Sequence, residues 1–332
     1  MLKKIAIALL WLWPALPGMA ACTGQDIVPG LPAGDRAALD AQIDATPFGR
    51  GNAWRATRGT AVVDIVGTYH FDDPRHEEVM AALRPRIDTA AAVLVEAGPS
   101  EMEELKSDML TKPELMFVMK GATLPEMMTE ADWQDLSGAL AKRGMPAIFA
   151  AKLQPWYATM LLAAPPCMMP ELETGETNGL DARVISRALD RQIPILALEP
   201  YDAAFERFRA MAPEVQVEML RMSLLMDDDA EDMLATLSRA YFDEDARLVW
   251  DLGRMMAEKT PGLDQDQVDR VYAMMEDTLM IQRNESWIPV IEEATNRGRL
   301  FVAFGALHLS GEKGVLALLR DKGFRVEPIP FR

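Results

Sequence analysis

The chain has 332 residues, 49% of them apolar, and carries 51 Asp and Glu against 34 Lys and Arg, a net charge of −17. So acidic a chain lacks the cationic surface that phosphate backbones require, which excludes nucleic acid as a partner. The apolar content suffices for one large core domain, with room for insertions.

Lys3 and Lys4 precede an apolar run over residues 5–16, and small residues follow at Gly18, Ala20 and Ala21. This is the layout of a secretory signal peptide covering residues 1–21. The run is interrupted by Pro14 and shorter than the ~20 residues of a comfortable span, so no stable membrane span is expected. Cleavage would remove two lysines and leave a net charge near −19. The protein is therefore expected in the periplasm or outside the cell, where Cys22 and Cys167, the only two cysteines, read as a disulfide. A lipid anchor on Cys22 is the alternative, because that residue directly follows the cleavage position.

In chain order, a short helix with Asp35 as its N-cap comes first, with Leu39 and Ile43 on one face. Residues 54–58 and 61–66, separated by Gly59, predict a hairpin that feeds "GTYH". A helix over residues 74–87 places Val79, Leu83 and Ile87 at steps of four, and His76 on it reads as a surface or supporting residue. "AVLV" is a buried strand ending at Glu96. The methionine-rich stretch 100–168 is helical, its methionines filling an irregular core or lining an apolar groove. A helix after "NGLD" leads to the strand "PILAL" and Glu199, and Asp181 reads as an N-cap. Residues 201–297 are helical with breaks near Pro213, Pro261 and Pro289. The acidic run "MDDDAEDM" within them reads as a solvated helix start. Gly298 then provides a left-handed cap, "LFVAFG" a buried strand, "GVLALLRDKG" a helix, and "FRVEPIP" a last strand.

Strand, helix and strand at both ends predict an α/β fold: a central sheet assembled from N- and C-terminal βα segments, with long helical insertions over about residues 100–178 and 201–297. Four strands end in a residue that binds metal or moves protons: His70, Glu96, Glu199 and His308. Carboxyl ends of strands meet at one edge of an open α/β sheet, so these four are expected to share a pocket. Two of the three histidines stand three residues after a glycine, Gly67 and Gly305, in "GTYH" and "GALH". A glycine there permits an unusual conformation or a close approach and leaves room for a ligand. Two histidines with a carboxylate form a common shell for Zn, Mn or Fe. In this reading His70 and His308, with Glu96 or Glu199, hold a divalent ion. Glu96 or Glu199, whichever does not bind the metal, is the base, and Arg283 stabilises developing charge. The competing reading is a ligand- or haem-binding or accessory protein without catalysis, with histidine as axial ligand.

The motifs "VGTYHF", "VLVEAG", "NGLD", "LALE", "QRNESW" and "FVAFGALHLSGEKGVLALLRDKGFRV" together resemble the TraB/GumN family, which includes the TIKI proteases. The likeness runs from about residue 55 to the C-terminus, so residues 22–332 are expected to form one domain of that type. The chain departs from the usual "GTIH" in having Tyr69. What the resemblance implies is a metal-dependent hydrolase of peptidase type, using Mn, Co or Zn on a peptide or other small substrate in an apolar cleft. It implies His70, Glu96 and His308 as the functional core. Asp181, Arg283 and Asn284 match further family blocks, as does Glu199. The family also resembles erythromycin esterases and a haem-binding lipoprotein in its core.

Overall fold

The computed structural model describes residues 22–174 and 178–332. The expected signal peptide, residues 1–21, lies outside them. Six strands form one sheet: β1 (Ala53–Arg58), β2 (Ala61–Thr68), β3 (Ala92–Val95), β4 (Ile195–Ala197), β5 (Leu300–Gly305) and β6 (Arg325–Pro328). Their order across the sheet is β4-β3-β5-β2-β1-β6. β2, β5, β3 and β4 run parallel, while β1 is antiparallel to both β2 and β6. The α/β architecture with an N- and C-terminal sheet and a helical middle is therefore as expected.

The central strands are apolar along their whole length because both faces are covered. Val93, Val95, Phe301 and Ala303 face the helices His76–Ile87 and Leu180–Asp190, through Val79, Leu83, Ile87 and Val184. Leu94, Val302 and Phe304 face the helices Gln282–Ala294 and Val315–Asp321, through Trp287, Ile291 and Leu316. Asp64, fully buried in β2, is held by Arg55 at 2.7 Å and by two nitrogens of Arg299 at 2.7 and 3.1 Å. A lone carboxylate there would be prohibitive; a paired one is tolerated.

The helical segments between β3 and β5 have apolar clusters of their own, and Met211, Met219 and Met222 are buried in one of them. The Cys22–Cys167 disulfide, joining residues 145 apart in sequence, fastens the start of the described chain to this helical body. Among the described residues no helix is long and apolar enough to cross a membrane.

Four local expectations change. The first helix starts at Ala33 behind Pro32, so Asp35 lies in its first turn and does not cap it. Pro289 sits inside the helix Gln282–Ala294 without ending it, because burial of Trp287, Ile288 and Ile291 around it outweighs one lost N–H. Asp227, in the acidic run, is not simply solvated: it takes a 2.5 Å hydrogen bond from Nη2 of the fully buried Arg143. Gly298 has φ 126° and ψ −149°, a glycine conformation outside the left-handed helical region.

Candidate functional site

The register of β2 and β5 pairs Gly67 with Phe304 and Thr68 with Gly305, so "GTYH" and "GALH" run side by side off adjacent parallel strands. β3 lies on the other side of β5 and delivers Glu96 to the same edge. The two glycines act through close approach. A Cβ on Gly67 would stand 2.7 Å from the Cα of Ala306. On Gly305 it would stand 3.3 Å from Glu96 Oε1, 3.6 Å from His70 Nε2 and 3.7 Å from the His308 ring. The space over Gly305 is thus where the three side chains meet.

Hydrogen bonds fix both imidazoles. Arg283 has only donors, so His308 Nε2, 3.2 Å from Arg283 Nη1, accepts. His308 Nδ1–H then donates to Asn284 Oδ1 at 2.6 Å, and the Asn284 amide nitrogen donates to the Lys313 carbonyl at 2.9 Å. His70 Nδ1 lies 3.2 Å from Asp181 Oδ1, so it donates to the carboxylate and leaves Nε2 facing the site. Gly179 presses so close that a Cβ there would be 2.3 Å from the His70 carbonyl carbon, and Leu180 N–H donates to the Tyr69 carbonyl at 2.9 Å. The "NGLD" motif therefore serves to dock Asp181 against His70. The expected N-cap role is corrected: the cap position is Gly179, and Asp181 makes no capping bond.

Arg283, 12% exposed, is the hub. Its Nη2 donates to Glu96 Oε2 at 2.6 Å, and its Nε and Nη2 donate to Glu199 Oε1 at 2.8 and 2.5 Å. Glu199 Oε2 accepts from the Trp287 indole at 3.2 Å and lies 3.9 Å from Arg207. Glu199 thus reaches the others through Arg283, while Glu96 Oε1 takes the Gly305 N–H at 2.6 Å.

These contacts sort the titrating groups. Partial loss of solvent opposes charge on the half-exposed His70, but the bond and charge of Asp181, with the charge of Glu96, win and raise it to about 9. Burial drops His308 to about 3, against the pull of Glu96 and helped by the repulsion of Arg283 and His70. Glu96 would rise on burial, yet His308, Arg283, His70 and the Gly305 N–H bring it down to about 2. The site therefore holds a cationic, half-exposed His70, a neutral His308 and an ionised Glu96 at neutral pH.

The donors are of the kind a divalent ion takes, and each Nδ1 is backed by an oxygen as in metal-binding histidines. As arranged they do not fit one: the Arg283 guanidinium already bonds His308 Nε2, Glu96 Oε2 and Glu199 Oε1, and a second cation among them would have to displace it. Among the described residues no three His, Cys, Asp or Glu side chains are grouped to hold a metal. His76, expected as a surface or supporting residue, is not at the surface: it is fully buried, its Nε2 lies 3.0 Å from the Phe71 carbonyl and its ring packs on Phe242. The signal was present in the sequence, since His76 falls in phase with Val79, Met80, Leu83 and Ile87.

The model of the TraB/PrgY/gumN family matches residues 52–328. An uncharacterized protein of Escherichia coli K12, YbaP, is 24% identical over 259 residues, covering 77% of this chain and 87% of its own, and its Shigella flexneri counterpart matches equally. No solved structure matches the chain.

Proposed function

The chain belongs to the TraB/PrgY/gumN family, and from that premise we propose that it is an exported hydrolase of peptide-like bonds. The observation that carries the reading is the convergence of His70 Nε2, Glu96 and His308 over Gly305, with His70 backed by Asp181 and open to solvent. Asp181 sets the tautomer that leaves Nε2 as the proton-handling atom, as a carboxylate does behind a catalytic histidine. In the neutral form that grows as pH rises toward about 9, His70 takes a proton from a water lying between it and Glu96, and the resulting hydroxide attacks the substrate carbonyl. The imidazolium returns the proton to the leaving amine as the C–N bond breaks. The charge of Arg283 offsets the developing oxyanion, and Glu199 positions Arg283. The Cys22–Cys167 disulfide supports an oxidising compartment.

The test is cleavage of a quenched fluorescent peptide library by wild type and by His70→Gln and Asp181→Asn. A loss of about 100- to 10,000-fold in both, with unchanged circular dichroism, supports the reading. Activity that survives in His70→Gln refutes it. The metal-dependent form expected from sequence would need donors that Arg283 holds, so no step is routed through an ion. Elemental analysis and chelator treatment decide between the two forms: stoichiometric Mn, Co or Zn that is lost together with activity would establish the metal.

A further inference from the structure

Beside the catalytic cluster, on the far side of Asn284, lies a cavity of about 510 Å³, within the range of small-molecule sites, roughly 300 to 1,000 Å³. Asn284 is its shared wall, since the oxygen that accepts from His308 belongs to a side chain that also lines the cavity. Trp250, Met280, Ile281 and Leu307 supply apolar lining. Met280 and Ile281 come from a π-helical turn, Glu276–Ile281, that runs directly into Arg283 and Asn284. Such turns are rare and occur frequently at functional sites.

The wall carries one desolvated charge. Arg247 is 15% exposed, and its Nε and Nη2 are bonded to Asp251 at 3.2 and 3.1 Å. Its Nη1 has Glu276 no nearer than 3.7 Å, and Gly311, with φ 96°, leaves open space beside it, a Cβ there standing 4.0 Å off. The other charges are on the rim and solvated: Glu276 is 44% exposed, Glu312 is exposed, and Lys313 is tied to Glu285. Solvated charges discriminate weakly between ligands, and a desolvated guanidinium strongly favours a carboxylate.

We propose that this cavity binds an apolar group ending in a carboxylate, and that its occupant is sensed by His308 through Asn284. The chemistry fits either a free apolar acid or the C-terminal residue of a peptide. Binding is read without any substrate turnover, so it stands apart from the hydrolase reading.

The probes are sodium octanoate, octylammonium chloride, and the dipeptide Ala-Phe with a free or an amidated C-terminus, titrated by calorimetry into the full chain. Octanoate or free Ala-Phe is expected to bind at least about tenfold tighter than its cationic or amidated analogue. Whichever acid binds tighter names the source. Met280→Trp fills the cavity and should weaken binding by about tenfold or more. Ile281→Trp should do the same from the next position, so that misfolding of one variant leaves the other as a test. In histidine-ring NMR the His308 signals should move on binding while those of His76 stay. The proposal is overturned if neither acid binds saturably below about 10 mM, if octylammonium binds as well as octanoate, or if a folded filling variant binds as wild type does.

Discussion

Replacing Arg283 by Met tests the cluster most directly, because it removes the cation from between two carboxylates and keeps an unbranched apolar stem in its place. Glu199 is 8% and Glu96 25% exposed, so both are left in poor solvent without their main partner. Removing one member of a buried ion pair costs about 3–5 kcal/mol. The pH dependence gives the sign. Glu96 is lowered from 4.5 to about 2, so it adds stability that is complete above 4.5 and is lost as pH falls through 2. At 1.36 kcal/mol per pH unit this amounts to at most about 3 kcal/mol, part of it due to Arg283. Urea unfolding of wild type and Arg283→Met should differ by about 3–5 kcal/mol at pH 7 and by clearly less near pH 3. Pairing the change with Glu199→Gln should recover part of the loss, as groups in contact couple. A difference below about 1 kcal/mol at pH 7, or one equal at both pH values, would refute Arg283 as the cation that holds the cluster.

With only three histidines, ring NMR can follow each. Asp181→Asn should bring His70 down from about 9 to near or below the ordinary 6.5, and an unmoved titration would break the dyad assignment. His76 is held below 6.5 by burial. Its contribution is therefore complete above 6.5 and is lost as pH falls toward its folded value, so wild type should lose stability relative to His76→Leu between pH 7.5 and 5. Gly67→Ala forces a Cβ against the Ala306 backbone and should cost about 1–3 kcal/mol in urea unfolding. Gly305→Ala should change stability by less than about 1 kcal/mol yet lower turnover, since its methyl enters the space between His70, Glu96 and His308.

Strand-end residues were readable because position on a strand and position on the sheet edge are linked by topology. "GTYH" and "GALH" share one pattern, and their adjacency follows from β2 and β5 being parallel neighbours. The partners of Arg283 were not readable. It lies 187 residues from Glu96, 84 from Glu199 and 25 from His308, and no local pattern states which carboxylate a guanidinium will find. Glu199 accordingly looks equivalent to Glu96 in sequence; its two hydrogen bonds from Arg283 and one from Trp287, against the Gly305 N–H held by Glu96, separate the two. Asp181 misled for a different reason: an acidic residue in a helix's first turn is favourable for the dipole whatever else it does, so its pairing with His70 left no mark in the sequence.

The π-helical turn explains how one helix serves both sides of the site. An i to i+5 turn rotates the succeeding residues relative to a continuous α-helix, and residues 283 and 284, adjacent on a helix, point about 100° apart. Arg283 thereby faces Glu96 and Glu199, while Asn284 faces His308 and the neighbouring cavity. Both end on the same imidazole, one at Nε2 and the other at Nδ1. His308 is neutral and almost fully buried, so it has no solvent to absorb a change at either nitrogen. The ring is thus held from both sides by neighbouring residues of one helix, Asn284 at the cavity wall and Arg283 against the carboxylate nearest His70.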